Sequence, residues 1–297
     1  MTKPITIAQF FRQFPDDETC LAHLFEVRFG QGFACPRCER ASKWFRIKAE
    51  RAYSCQWCGH HLHPTVGTPF AKTRTPLTLW FYAIFMFTTT RNGVAAKELQ
   101  RQLGVTYKTA WRMADEIRKH IADVDGEDPI GGLARTVEID ETLIGGRLAT
   151  GARGANYMAN KTVVFGMLER GGEIVTKVVP DRRSGTLLPI IRATVRPLSK
   201  IHTDEWLGYG GLRTMGYRHA TVNHSIDQYV CPRTGATTNA IEGFWAQLKR
   251  SIGGTYIHVS GKHLWKYAKE AEYRFNRRSD PASMLPELLS TFRPLNG

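Results

Sequence analysis

The sequence predicts a multidomain α+β protein, and three features of the 297-residue chain lead to that prediction. Two pairs of cysteines near the N terminus have the spacing of a metal site. A helical segment interrupted by a glycine follows them. From residue 128 onward, strand and helix patterns alternate, which is typical of an α/β domain with a mixed sheet. Because a chain of this length usually forms two or three domains, we expect domains at residues 1–72, 73–127 and 128–297.

The cysteine pairs predict a zinc ribbon. Cys35 and Cys38 form one C-x2-C pair, Cys55 and Cys58 form another, and 16 residues separate the two pairs. This spacing is typical of zinc sites, since each two-residue gap allows a tight turn to direct two thiolates at one tetrahedral ion. Short strands expected between the pairs would complete a ribbon in which Zn²⁺ is structural, because so small a unit folds poorly without its metal.

Two alternatives to the four-thiolate site stay open at this point. The cysteines would have a redox role in one, and His60, His61 or His63 would replace a cysteine ligand in the other. We favour zinc because we expect a cytoplasmic protein, and disulfides are rare in that reducing compartment. The N terminus lacks signal-peptide features and no run reaches about 18 apolar residues, so we expect no membrane partner.

The charge balance favours a nucleic-acid partner. The chain has 41 Lys and Arg against 27 Asp and Glu, a formal net charge of +14. A basic excess of this size indicates a polyanionic partner, of which nucleic acid is the usual one. The alternative is a solvated basic surface on an unrelated enzyme. Hydrophobic residues make up 42% of the chain, which excludes a disordered protein.

The middle segment predicts a helix-turn-helix. A helical pattern over residues 94–103 stops at Gly104 and resumes at Tyr107, with Thr106 as the helix N-cap. Two helices around a short glycine-containing turn are typical of this motif, although an ordinary helical hairpin has the same pattern. In the motif, the second helix enters the major groove of double-stranded DNA. The side chains that we expect there are Tyr107, Lys108 and Arg112.

Three carboxylates of the last segment predict a second metal site. Asp140 and Asp204 each end a predicted strand, and Glu242 lies on a predicted helix over 238–248. Strand ends meet at one edge of a sheet, and a helix packed across that edge supplies a further ligand. Carboxylates gathered there would repel one another unless Mg²⁺ or Mn²⁺ neutralised them. Two such ions hold the attacking and leaving oxygens of a phosphoryl displacement.

Each carboxylate alone is better explained as a surface or capping residue. Glu138, Glu141 and Glu205 lie close to the candidates in the sequence, and we assign them no role. Only the joint pattern, in a basic chain with DNA-binding segments upstream, favours the metal site.

Four stretches of the chain resemble the insertion sequence 1595 family of bacterial transposases. They are VEIDETLIGGR at 137–147, HTDEWLGYGGL at 202–212, TNAIEGFWAQLKRSIGGTYIHVS at 238–260 and EYRFNRR at 272–278, of which the last two are the most specific. The resemblance implies a C-terminal RNase H-like (retroviral-integrase-like) α/β domain of the DDE class. It also implies cleavage at element ends, 3′-hydroxyl strand transfer, and a nucleoid-associated homodimer or larger synaptic complex on terminal repeats and target DNA.

The same resemblance implies roles for individual residues. Asp140 and Asp204 match the first two ligands of the catalytic ions. The third position is open between Asn239 and Glu242, and we favour Glu242 because a carboxylate binds Mg²⁺ better than an amide. The residues expected to hold DNA phosphates are Lys249 and Arg250.

A second basic helix, expected at 263–277, would follow the DNA backbone. Its cations are Lys262, Lys266, Lys269, Arg274, Arg277 and Arg278, and the alternative is a solvated charged face. Two other functions also stay open: a DNA-binding regulator with a catalytically silent domain, and an RNase H-like nuclease that cuts without joining.

Overall fold

The computed structural model describes residues 3–145, 161–223 and 229–292. The chain forms two compact units. The first comprises Met1–Thr90, Val94–Val124 and Asp280–Gly297, and the second comprises Arg91–Gly93 and Asp125–Ser279. The cysteine region and the glycine-interrupted helices therefore lie in one unit, while our three-domain division remains a proposal. No helix of the described residues is long and apolar enough to cross a membrane.

The first unit begins with two helices and a small antiparallel sheet. A capping box closes the start of α1, in which the backbone N–H groups of Thr6 and Gln9 bond to each other's side chains. The sheet has the order β1-β2-β3 and confirms the strands expected between the cysteine pairs. The bounds are α1 Ile7–Gln13, α2 Asp17–Arg28, β1 Trp44–Ile47, β2 Ala52–Cys55 and β3 His61–Leu62.

Four more helices complete the first unit. Helix α3 is apolar and almost wholly buried, as its run of aromatic and aliphatic residues predicts. Helix α4 ends at Gly104, whose φ of 64° lies in the left-handed region that favours glycine. Thr106 then accepts a hydrogen bond from the N–H of Thr109 and so caps α5, as expected. The bounds are α3 Leu77–Thr89, α4 Ala96–Leu103, α5 Tyr107–Asp125 and α9 Met284–Ser290.

A five-stranded mixed sheet organises the second unit. Its strand order is β10-β9-β5-β6-β7. Strands β5, β6 and β7 form an antiparallel meander, whereas β9 runs parallel to β5 and β10 runs parallel to β9. Strands β4 and β8 form a separate short parallel pair. The bounds are β4 Ile130–Gly131, β5 Thr136–Ile144, β6 Thr162–Glu169, β7 Ile174–Val179, β8 Val195–Arg196, β9 Lys200–Thr203 and β10 Arg218–Thr221.

Helices cover both faces of this sheet. Alternate residues of β6 point to opposite faces, so Phe165 packs with Leu187 of α6, while Val164 packs with Trp245 of α7. The second and third of these three helices confirm those expected near residues 238–248 and 263–277. Their bounds are α6 Ser184–Thr194, α7 Asn239–Arg250 and α8 Gly261–Asn276.

Candidate metal and active sites

The four cysteines of the first unit form a closed ligand set. Their Sγ atoms all lie within 4.8 Å of one another. The Sγ atoms of Cys35 and Cys58 are 3.6 Å apart, and those of Cys38 and Cys55 are 3.9 Å apart. A tetrahedral zinc ion with Zn–S bonds near 2.3 Å requires sulfurs about 3.8 Å apart. The site therefore fits zinc without rearrangement, and the chain's own thiols suffice to close it.

Hydrogen bonds to Cys55 lower the pKa of its thiol and so favour the thiolate that binds metal. The hydroxyl of Ser42 donates to Cys55 Sγ at 3.2 Å, and the N–H of Trp57 lies 3.4 Å from the same sulfur. Desolvation raises the pKa of Cys55, but these donors outweigh it and lower that pKa to about 6. The three histidines nearby lie outside the ligand set, and His61 contacts Glu50 at 2.8 Å. The structure thus supports the four-thiolate site over a histidine substitute.

The sheet register brings Asp140 and Asp204 together. Strand β9 pairs in parallel with β5, so that Glu138 lies opposite His202. Two residues further along each strand, the same register places Asp204 beside Asp140. Burial, followed by the charges of Glu141 and Asp204, raises the pKa of Asp140 to about 7. The structure continues β5 to Ile144, so Asp140 lies in the middle of its strand and not at the end as predicted, because the apolar pattern resumes after Glu141. Asp204 directly follows β9, and the two carboxylates lie close enough for their charges to interact.

Glu141 lies beside Asp140 and Asp204, and we call these three residues the acidic cluster. From the sequence alone, we assign no role to Glu141. Its side chain is 3% exposed and contacts Arg182 at 3.3 Å. The hydroxyl of Tyr209 donates a short hydrogen bond to its other oxygen. Burial raises the pKa of Glu141, and the nearby Asp204 raises it further against the opposing effect of Tyr209. In the sequence, one feature indicates that Glu141 lies near the candidate ligands, namely its position next to Asp140.

A second overlooked carboxylate holds the helix that carries Glu242. Glu138 is 1% exposed and accepts the N–H groups of Ala240 and Ile241 at 2.9 and 3.1 Å. Both amides belong to the first turn of α7, where a carboxylate satisfies free N–H groups and the helix dipole. Its other oxygen pairs with Arg170 at 2.7 Å. Glu138 therefore anchors α7 to β5, the strand that carries Asp140.

Trp245 links α7 directly to the acidic cluster. Its Nε1 donates to Asp140 Oδ2 at 3.0 Å. The indole lies over Gly166, the residue paired with Asp140 in β6, where an added Cβ would come within 2.6 Å of the ring. The glycine is thus required for the close packing that lets the indole reach Asp140.

Asn239 and Glu242 lie in the first turn of α7. Asn239 is exposed, and Glu242 accepts a hydrogen bond from the hydroxyl of Thr238 at 2.8 Å. Glu242 stands one turn before Trp245, on the side of the helix that borders the sheet. Among the described residues, the cysteines alone form a compact group of three or more possible metal ligands. The third ligand of the acidic site therefore stays a proposal.

Comparisons with known proteins identify the family of the chain. Residues 132–276 match the ISXO2-like transposase domain, and residues 15–61 match the transposase zinc-ribbon domain. A relative from Haemophilus influenzae, described as an uncharacterized transposase-like protein, is 36% identical over 104 residues, which make up 35% of this chain and 81% of that protein. The chain belongs to the insertion sequence 1595 family of transposases. The cysteine set and the acidic cluster lie in the zinc-ribbon and DDE domains of this transposase, respectively.

The residues expected to contact DNA differ in their surroundings. Tyr107 is 46% exposed, with Lys97 Nζ 5.0 Å from its ring centre, and Lys108 is exposed. Arg112 instead donates to the carbonyl of Ala71 at 2.8 Å. Lys249 and Arg250 are exposed at the end of α7. Four of these five side chains are therefore available to a partner, while Arg112 already has one within the transposase.

The expectation that α8 follows DNA is wrong for most of its cations. Lys266 and Lys269 are only 5% and 7% exposed. Lys269 pairs with Glu272 at 2.7 Å, Arg274 pairs with Glu270 at 2.5 Å, and Arg277 pairs with Asp125 at 2.8 Å. The helix packs against β7, and this burial turns the basic face inward.

The EYRFNRR stretch has a structural role in this packing. Glu272 Oε2 accepts the N–H of Thr176 at 2.8 Å, and the side chain of Asn276 bonds to both the N–H and the carbonyl of Ile174. Strand β7 is an edge strand, so these groups would otherwise lack partners in the sheet. The stretch therefore closes one edge of the sheet.

Proposed function

We propose that this transposase cuts DNA at the ends of a mobile element and joins the freed 3′ hydroxyl to target DNA. The observation that carries the proposal is the juxtaposition of Asp140, in the middle of β5, and Asp204, directly after β9, in a chain with a DDE-class family domain. The strand order, with a three-stranded antiparallel meander and two parallel strands beside it, supports an RNase H-like (retroviral-integrase-like) domain.

The acidic cluster fits divalent cations. Asp140, Asp204 and Glu242 would hold two Mg²⁺ or Mn²⁺ ions, and Asn239 would add a ligand or orient the substrate. The raised pKa of Asp140 is compatible with this assignment: burial is its main cause, and the charges of Glu141 and Asp204, which a cation would offset, add to it. When bound, the ions activate the attacking oxygen and stabilise charge on the phosphoryl group in transit.

The protein's own residues position this chemistry. Trp245 holds one oxygen of Asp140, so that the other remains directed to the cluster. Arg182 and Tyr209 hold Glu141. Glu138 fixes the first turn of α7 and thereby the helix that carries Glu242 and Lys249. Most of the rate acceleration would then come from fixed positions and charges, with no covalent intermediate on the protein.

DNA contacts would come from both units. We propose that α4 and α5 act as a helix-turn-helix in which Tyr107 and Lys108 read double-stranded DNA, with Arg112 supporting them. Lys249 and Arg250 would bind phosphates near the cut. The ribbon would require structural Zn²⁺, and two element ends would be held by a homodimer or larger complex.

An experiment in cells tests this function directly. The gene, flanked by its native DNA on a plasmid, would be expressed as wild type, Asp204→Ala or Glu205→Ala. Glu205 is the exposed neighbouring carboxylate and serves as the matched control. We expect cut ends and new insertions from the wild type and the control, and neither from Asp204→Ala.

Other outcomes would change the assignment. Joined products from Asp204→Ala would contradict the proposed site. Cuts without insertions from the wild type would favour the nuclease. Binding to the flanking DNA with no cutting at all would favour a regulator.

A further inference from the structure

Two adjoining cavities lie along β10, at the opposite edge of the sheet from β7. Their volumes are about 480 and 500 Å³, and they share part of their lining. We call them together the β10 cleft, and the residues that define it are Lys200, Arg213, Arg218, His219, Arg233 and Thr234. The cleft is open to solvent on the outer side of an edge strand, so a large partner has access to it.

The four cations of the β10 cleft are exposed and lack carboxylate partners. Within residues 3–145, 161–223 and 229–292, none of them forms an ion pair. Cations at the β7 edge differ, since Lys177, Lys269 and Arg277 each pair with a carboxylate. The β10 edge of this sheet therefore carries exposed cations without carboxylate partners among the described residues, whereas these three cations at the β7 edge are neutralised.

Two histidines that line these cavities, His202 and His219, have lowered pKa values. Burial and then Arg213 lower the pKa of His219. Burial, followed by the charge of Arg170 and, to a smaller extent, that of Lys200, lowers the pKa of His202 to about 4. Both imidazoles are therefore neutral near pH 7, and the positive charge of the cleft comes from its lysine and arginines.

Arg233 lies in a turn that is closed by two backbone hydrogen bonds. The N–H of Cys231 bonds to the carbonyl of Ala236 at 2.8 Å, and the N–H of Gly235 bonds to the carbonyl of Cys231 at 2.7 Å. The first cysteine turn of the ribbon has the same pair of bonds, at 2.9 and 2.7 Å, starting from Cys35. Thr234 stands where that turn has its second cysteine, so the turn keeps its shape without a second thiol.

The β10 cleft lies close to the acidic cluster. Lys200 begins β9 and Asp204 follows its last residue, a separation of about 13 Å at 3.3 Å per residue. This span corresponds to about four base-pair steps of duplex DNA. His219 Nε2 lies 2.9 Å from Thr203 Oγ1, which donates to the carbonyl of Asp204 at 2.6 Å. A phosphate in the cleft and one at Asp204 are therefore within reach of one DNA duplex.

We propose that the β10 cleft binds the phosphate backbone of duplex DNA about four base pairs from the cut. This inference rests on the proposed function, since it places the same substrate on a second surface. Arginine forks suit phosphate oxygens because they donate two parallel hydrogen bonds. Cations on an edge strand also discourage strand pairing between protein copies, which is the competing explanation.

The test measures DNA binding without cleavage. A fluorescein-labelled duplex of about 30 base pairs would be titrated with protein at about 50 to 200 mM salt, with no added divalent metal. The cleft variant is Arg213→Gln/Arg218→Gln. The matched control is Arg135→Gln/Lys177→Gln, which removes the same formal charge from paired positions of the same unit. Thermal melting and zinc content would confirm that both variants fold.

The slope of log K against log salt is negative, and we expect its magnitude to be smaller by about 1.8 in the cleft variant, since each lost phosphate contact contributes about 0.9. The control would keep the wild-type slope. Equal slopes for all three proteins would overturn the cleft while leaving the proposed function intact. An equal drop in both variants would overturn it too, because only net charge would then matter. A drop confined to the cleft variant, with no cutting by the wild type in cells, would support the cleft and contradict the transposition chemistry.

Discussion

The cysteine site and the acidic site that we propose for catalytic metal ions differ in how their residues are brought together. The four thiols lie within one segment of 24 residues and within 4.8 Å of one another, so zinc closes the site completely. The carboxylates come from β5, β9 and α7, and Glu242 stands apart from the aspartates. A structural ion is best held by a full set of protein ligands, whereas a catalytic ion needs open positions for substrate. This difference is the one expected if the first site serves folding and, as we propose, the second serves chemistry.

The largest expected effect is the loss of the zinc ribbon. Cys38→Ser should abolish zinc binding and unfold the ribbon, since structural zinc contributes about 10–16 kcal/mol to such folds. Zinc content and the dispersion of ribbon amide signals in NMR would measure it. Cys231→Ser, which removes a thiol outside the ligand set, should retain both. A ribbon that stays folded without metal would contradict the structural role of zinc at the cysteine site.

Asp140→Asn should separate stability from activity. We expect cleavage to fall at least about 100-fold, because the amide is a poor ligand for Mg²⁺. The pKa of Asp140 in the folded protein is about 7, above the ordinary 3.8. The stability associated with its neutral form is therefore present at low pH and lost as pH rises through 7.

Because the variant cannot ionise at this position, it should melt above the wild type at about pH 8, and this gap should narrow as the pH falls toward about 4, near the ordinary pKa of 3.8. Thermal melting without divalent metal measures this difference. A gap of the same size at both pH values would contradict the raised pKa of Asp140.

Glu138→Gln should have a smaller effect on stability. The amide keeps one acceptor for the α7 N–H groups but loses the charge that pairs with Arg170, and we expect a cost of about 1–3 kcal/mol. Urea unfolding would measure it, with the exposed Glu173→Gln as the control. A shift no larger than that of the control would show that α7 is held by apolar packing alone.

Local patterns explain why the ribbon and the turn between α4 and α5 were predictable. Cysteine spacing, a glycine at the end of a helix and a threonine cap act within a few residues of themselves. The strands that carry Asp140 and Asp204 were predictable from short apolar runs, although β5 continues beyond Asp140 to Ile144.

Long-range packing explains what the sequence did not reveal. Asp140 and Glu141 are adjacent and alike in charge, yet only tertiary contacts with Trp245 and Tyr209 distinguish their surroundings. Glu138 caps the first turn of α7, which lies about 100 residues later in the chain, and only the fold brings the two together. The charges of α8 were misinterpreted because their spacing does not reveal that β7 covers that face.

The sequence by itself determined the ligands of the zinc ribbon, the helices and strands, and the family to which the chain belongs. The tertiary structure decided which charges face inward and which remain for a partner. It closed the β7 edge with Glu272 and Asn276, and it left the cations of the β10 cleft without carboxylate partners among the described residues. The physical reason is that a charge costs free energy only where it is buried, and burial depends on segments far apart in the chain.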